Sequence, residues 1–215
     1  MNGPENPMNM LEELSYKGVI SWDEVFDVWR KNEASQPGWV EVATKVKGWP
    51  DWESWRRYMA AEVGAEEREW KLYEFTDPMI QIPEMLVGPF QSWQNQLPEE
   101  KRLQTTFSDF IAERLDWARG HGRIQDMIQH FPSSTQFTGL YLEDQDRLLC
   151  FEGSHRAAAV ALAARDGMAI DFGEQVPLIA VASISGDSSE LLLKALETGS
   201  DNPERKQEGS NRSNS

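Results

Sequence analysis

Hydrophobic positions in this 215-residue chain change spacing as it proceeds, and each spacing predicts different structure. Over residues 9–75 the apolar side chains recur three and four apart, the interval of one helix face, so this section reads as all helix. Ser21-Trp22-Asp23-Glu24 is a capping-box pattern that opens a helix with Trp22, Val25, Phe26 and Trp29 on one side. Pro37-Gly38 breaks it, and Trp39, Val42, Ala43 and Val46 make a second short helix ended by Gly48. Pro50 or Asp51 starts a third, carrying Trp52, Trp55, Tyr58, Met59 and Val63 as far as Gly64. Residues 65–75 read as a further helical turn or two.

Beyond residue 76 the pattern shortens. Asp77-Pro78-Met79-Ile80-Gln81-Ile82-Pro83 alternates between prolines, as an edge strand or extended arm does. Gly88-Pro89 marks a turn, and Pro98-Glu99-Glu100 begins another helical or loop segment. From Thr106, the residues Phe107, Phe110, Ile111, Arg114, Leu115 and Ala118 line a helix that stops at Gly120 or Gly122. Residues 124–131 are a short strand candidate. Two apolar runs, 137–142 and 147–151, flank Glu143-Asp144-Gln145-Asp146 and predict a hairpin over an acidic turn. An Ala-rich helix follows to Gly167. Residues 176–182 read as a buried strand, and Ser188 or Ser189 caps a last helix through Leu196. From Gly199 the chain is polar and free of aromatic residues, and disorder is expected there. The whole is α+β, divided into a helical Trp-rich section (1–75), a mixed domain (76–198) and a tail (199–215).

Composition narrows the partners. The net charge of −15 is spread along the chain, and no Lys/Arg cluster exceeds pairs such as Arg56-Arg57. Nucleic-acid binding draws on a basic patch that displaces counterions, so DNA is a poor candidate partner. No apolar run approaches the roughly 18–20 residues of a membrane span, and the N-terminus lacks the features of a signal peptide. A cytoplasmic location is the default expectation. One cysteine, Cys150, excludes an internal disulfide and a Cys-rich zinc module. His121 and His130 lie nine apart with no further ligand at metal spacing, so no metal site is expected. Seven of the nine Trp fall between residues 22 and 70, at the spacing that core packing alone produces.

The chemistry concentrates in one turn. Leu148-Leu149-Cys150-Phe151-Glu152 reads as a strand, Gly153-Ser154-His155-Arg156 as a polar turn, and Ala157 onwards as a helix. Such a turn sets backbone N–H groups, a hydroxyl, an imidazole and a guanidinium at the positive end of a helix, where a phosphate fits. The structural alternatives are equally plain. His155 can simply cap or pack, Arg156 can bridge to Glu152 or Asp126, and Ser154 can serve as an N-cap.

The order helix, strand, hairpin, Gly-Ser-His-Arg turn, Ala-rich helix, strand resembles the ParB/sulfiredoxin fold. Members share a Gly-x-x-Arg signature at a strand-to-helix turn, followed by one or two alanines; Gly153-Ser154-His155-Arg156-Ala157-Ala158 fits it. Gly120-His121-Gly122-Arg123-Ile124-Gln125-Asp126 resembles the entry to the next strand, with Asp126 where the family usually has Pro. The resemblance covers about residues 77–185 and leaves the Trp-rich section as an extension. It implies nucleotide binding at Gly153, Ser154, His155 and Arg156, since the corresponding turn binds ATP in sulfiredoxins, CTP in ParB proteins and ADP in a related archaeal free serine kinase.

Sulfiredoxin chemistry needs a Cys where this chain has Ser154. Cys150 is expected to be buried and inert. Partition function is disfavoured by the missing basic helix-turn-helix. What the resemblance leaves is an ATP, ADP or CTP site, with or without Mg²⁺, and a phosphotransferase acting on a small-molecule acceptor. Transfer needs a carboxylate to deprotonate the acceptor, and Glu152 is the nearest. The alternative is a non-catalytic interaction or regulatory module that keeps the fold and contacts a partner protein.

Overall fold

The two apolar runs around the acidic turn pair as their alternation predicts, and the rest of the chain is arranged around them. The computed structural model describes residues 10–198 and residue 202. β1 (Ser15–Ile20) leads into α1 (Trp22–Trp29), α2 (Pro37–Glu41) and α3 (Trp52–Ala61), and then β2 (Trp70–Glu74). Short helices follow: α4 (Pro78–Gln81), α5 (Gln91–Gln94), α6 (Phe107–Glu113), α7 (Leu115–Gly120) and α8 (Gly122–Gln129). The hairpin is β3 (Gln136–Leu142) and β4 (Arg147–Glu152), succeeded by α9 (Ser154–Arg165), β5 (Leu178–Ile184) and α10 (Ser188–Thr198). The five strands form one sheet in the order β1-β2-β5-β3-β4. β3 runs parallel to β5, and the other neighbouring pairs are antiparallel. The protein is mixed helix and sheet, as expected. The tail from residue 199 lies outside the described residues, apart from Asn202.

Local chemistry accounts for the elements. Ser21 and Glu24 complete the capping box: the Ser21 side chain accepts from the Glu24 amide, and Glu24 accepts from the Ser21 amide at 2.9 Å. Asp51 caps α3 by accepting from the Ser54 amide at 2.7 Å. Thr106 does the same for α6, through the Asp109 amide.

Three expectations are corrected. The first 75 residues are not all helix, because β1 and β2 fall within them. Residues 70–74 alternate, with Trp70 and Leu72 on one face and Lys71 and Tyr73 on the other, and that period of two selects strand over helix. Residues 77–83 are not extended; Pro78 takes the first position of the one-turn helix α4, where its missing N–H costs nothing. Residues 124–131 are not a strand. Ile124, Met127 and Ile128 stand three and four apart, which is helical spacing, and α8 buries Ile124 against the core.

Both faces of the sheet are covered. Phe137, Tyr141, Leu148, Cys150, Ile179 and Val181 pack under the Ala-rich α9 and the α6–α8 helices. Leu140, Leu142, Leu149, Phe151, Ala180, Ala182 and Trp70 face the other way, against Trp22, Phe26, Trp29, Trp52 and Trp55. The tryptophans of the first section are therefore one helical layer on the sheet, and β2 pairs with β5 from the second half of the chain. Among the described residues no helix is long and apolar enough to cross a membrane.

Trp29 joins the layers chemically as well. Its indole Nε1 donates to the buried Thr138 hydroxyl of β3 at 2.7 Å, and its ring lies 5.7 Å from that of Phe151. Trp29→Phe keeps most of the apolar volume but strands the Thr138 oxygen. Urea unfolding should show a loss of about 1–3 kcal/mol, the cost of leaving a buried polar atom without its partner.

Candidate functional site

The turn between β4 and α9 is built around Gly153. Its φ of +106° lies in the left-handed region, and a Cβ there would sit 2.5 Å from Phe137 Cδ1, so only glycine fits. Gly153 occupies the N-cap position and Ser154 is the first helical residue. The reading of Ser154 as an N-cap is therefore corrected: the chain turns one residue earlier. Glycine has no side chain to cap with. The amides of Ser154, His155 and Arg156 have no acceptor among the described residues, and they point out of the positive end of a 12-residue helix.

Arg156 and Glu152 face each other. Arg156 Nη2 donates to both Glu152 carboxylate oxygens at 2.6 Å, and Nη1 donates to the Gln136 carbonyl at 3.0 Å. The guanidinium also lies over the Phe137 ring, 4.8 Å from its centroid. Both residues are more than nine-tenths buried. Burial pushes the Glu152 carboxyl above its ordinary range, against the pull of Arg156. Arg156 thus clamps the end of β4 and the edge of β3 to the start of α9. The bridge to Glu152 weighed from the sequence is the one that forms, and Asp126 is left to His130.

A second buried pair stands beside the first. Glu33 accepts from Arg56 at 2.7 and 2.6 Å and from Trp52 Nε1 at 3.0 Å. The Arg56 guanidinium packs over Trp55 at 4.3 Å and over Trp39 at 5.0 Å. Both charges act on Glu152, so the two pairs form one buried group of four charges linking the helical segment 30–34 after α1 to α3, β4 and α9.

His155 points away from this group into a ring cluster. Its imidazole lies 5.2 Å from Trp93, 5.3 Å from His121 and 6.3 Å from Trp39. Arg123 lies over the same Trp39, 4.8 Å from its centroid, and donates to the Gln36 side chain at 3.1 Å. Burial holds the His155 pKa down to about 3, with Arg123, His121 and Arg56 each pushing in the same direction. Two of those neighbours, Arg123 and Arg56, are positively charged, in a protein of net charge −15. Burial lowers His121 as well. Cys150 is wholly buried in the strand, and burial together with Glu152 pushes its thiol far up, away from reactivity.

No protein-family model, curated protein or solved structure matches this chain. The geometry is therefore the material from which function is read. It sets Gly153, Ser154 and His155 at the first turn of α9 and commits Arg156 and Glu152 to each other behind it. Glu33, Arg56, Trp39 and Arg123 were not singled out as site residues from the sequence. A signal existed for two of them. Glu33 falls four residues after Trp29, and Arg56 four after Trp52, so one acid and one base sit on the apolar faces of neighbouring helices. That pattern predicts a buried pair. Nothing in the sequence marks the proximity of Trp39, Arg123 and His155.

Two outcomes follow from these charges. Arg156→Met leaves the Glu152 carboxylate buried and unpaired, and should cost about 3–5 kcal/mol in chemical denaturation. Adding Glu152→Met should recover part of that loss, because the pair is then replaced by apolar volume. His155 stays neutral in the fold while the unfolded side chain takes a proton below its ordinary pKa of about 6.5. The unfolded state then binds more protons, so stability falls as pH drops from about 6.5 towards 3. His155→Leu should remove that component, narrowing the stability difference between pH 7 and pH 4.5 by about 2 kcal/mol.

Proposed function

We propose that the protein binds the phosphate groups of a nucleotide at the first turn of α9, as a ParB/sulfiredoxin-like binding module. The observation that carries the reading is the uncapped start of α9. Three consecutive amides point outward after a left-handed glycine, and the charged side chains acting on His155 beside them are all positive. A phosphate supplies the acceptors that this helix end lacks. Gly153 lets it come close to the backbone, and the partly exposed ring of Trp39 offers apolar surface for a base.

The role of Arg156 in this reading differs from that of a direct phosphate ligand. Held by Glu152 and the Gln136 carbonyl, it positions the turn. Glu152 is spent on Arg156 as well: both its carboxylate oxygens accept from the guanidinium, so neither is free to take an acceptor's proton. This favours the regulatory or binding module over a phosphotransferase, and ATP, ADP and CTP remain the candidate ligands.

A thermal-shift panel of ATP, ADP, CTP and GTP, with and without Mg²⁺, tests it. A ligand at 100 times its dissociation constant adds about 2.7 kcal/mol, which for a chain of this size is a rise of roughly 5–10 °C. One nucleotide should give a saturable shift of that order without being consumed. Absence of any shift across the panel overturns the reading, and turnover of the bound nucleotide would restore the phosphotransferase.

A further inference from the structure

If Arg156 is committed below the turn, other side chains must meet the ligand, and the ring cluster around His155 shows which. His155 makes ring contacts but no hydrogen bond with any described residue. The Nδ1 of His121, whose ring is 5.3 Å away, is buried and has no partner. Trp55 Nε1 is also buried and without a partner, on the ring that packs 6.1 Å from Trp39. Buried polar atoms are normally paired, so two unspent ones, His121 Nδ1 and Trp55 Nε1, around one ring cluster are unusual. Arg123 has only the exposed side chain of Gln36 and the Trp39 face to hold it.

We propose that Arg123, His121 and His155 are the side chains that take the ligand's phosphate, with Arg123 leaving Gln36 to do so. The proposal rests on the nucleotide reading of the α9 turn and names the groups that complete it. The sign of the ligand follows from the neighbours. Arg56 is paired with the Glu33 carboxylate, whereas Arg123 has no acidic partner among the described residues and, with the positive first turn of α9, draws in an anion. Burial keeps the His155 imidazole uncharged, and a neutral imidazole still donates one N–H to a phosphate oxygen.

Access runs past Trp39. The segment from Pro37 to Val46 buries only Ala43 fully, and Val46 is 62% exposed. A stretch with so little buried apolar surface opens at small cost, and moving it uncovers the imidazoles and frees Arg123 together.

Calorimetric titration of the full chain with ATP and with inorganic pyrophosphate, each with and without Mg²⁺, reads the outcome. Wild type should bind at least one of them. Arg123→Gln should weaken that binding at least tenfold with an unchanged melting temperature, since Arg123 sits half-exposed on α8. Arg123→Lys should recover part of it. His121→Phe keeps the ring packing and should weaken binding severalfold. If wild type binds and Arg123→Gln binds equally well, this assignment is overturned while the nucleotide reading stands. If wild type binds neither ligand, nor ADP, CTP or GTP in the same titration, the nucleotide reading itself has failed and takes this assignment with it.

Discussion

Strand β3 is buried along its entire length, and that constraint organises everything else. A strand with neighbours on both sides and no polar face needs a helical layer above and another below. The second half of the chain supplies one layer through α6–α9. The other comes from α1 and α3, whose large indoles cover the sheet with few side chains. Trp29 reaches further than packing requires, spending its N–H on the Thr138 hydroxyl of β3. A hydroxyl in the middle of a buried strand would otherwise have no partner, so the Trp-rich layer satisfies the sheet as well as covering it.

The buried charges follow from the same closure. Bringing α1 and α3 down onto β4 places Glu33 and Arg56 against Glu152 and Arg156, away from water. Each pair offsets the desolvation of its members only through close geometry and further hydrogen bonds, here the Trp52 indole donating to Glu33 and the Gln136 carbonyl accepting from Arg156. Apolar side chains of similar volume would stabilise these positions at least as well. Four charges held in one spot therefore point to specificity: they fix the turn before α9 to a single orientation relative to the first helices.

Much of this was legible in the sequence wherever local chemistry decides. The capping box at Ser21 and Glu24, the hairpin around residues 143–146, and the left-handed glycine at the start of the Ala-rich helix were all readable from residue type and spacing. Strand β2 was missed because the two residues before it, Arg68 and Glu69, continue a polar helix-like run, and only the alternation from Trp70 onward reveals the change. Helix α8 was missed because Ile-Gln-Asp-Met-Ile-Gln is apolar at both short and long spacing, and the resemblance to a strand entry weighted the wrong one. At the site, Glu152 and Arg156 are four residues apart across the turn, so their pairing was open to inference. The approach of Trp39 and Arg123 to His155 was not, since 116 and 32 positions separate them from it and only the fold brings them together.

The overall charge and the local field of this protein oppose each other, and distance decides between them. A surplus of 15 negative charges over the chain would repel a nucleotide if it acted at long range. At physiological ionic strength it is screened within about 8 Å, whereas groups at the mouth act at contact distance. Arg123, the first-turn amides and the partly charged end of α9 therefore set the local field. Neutral imidazoles suit such a place better than lysines would. A lysine ammonium would have to be desolvated in the ring cluster at high cost, or stay outside it and be neutralised by the many surface acids. An imidazole kept neutral by burial presents a hydrogen-bond donor with no charge for those acids to attract, so the site retains its donors for a ligand even inside an acidic protein.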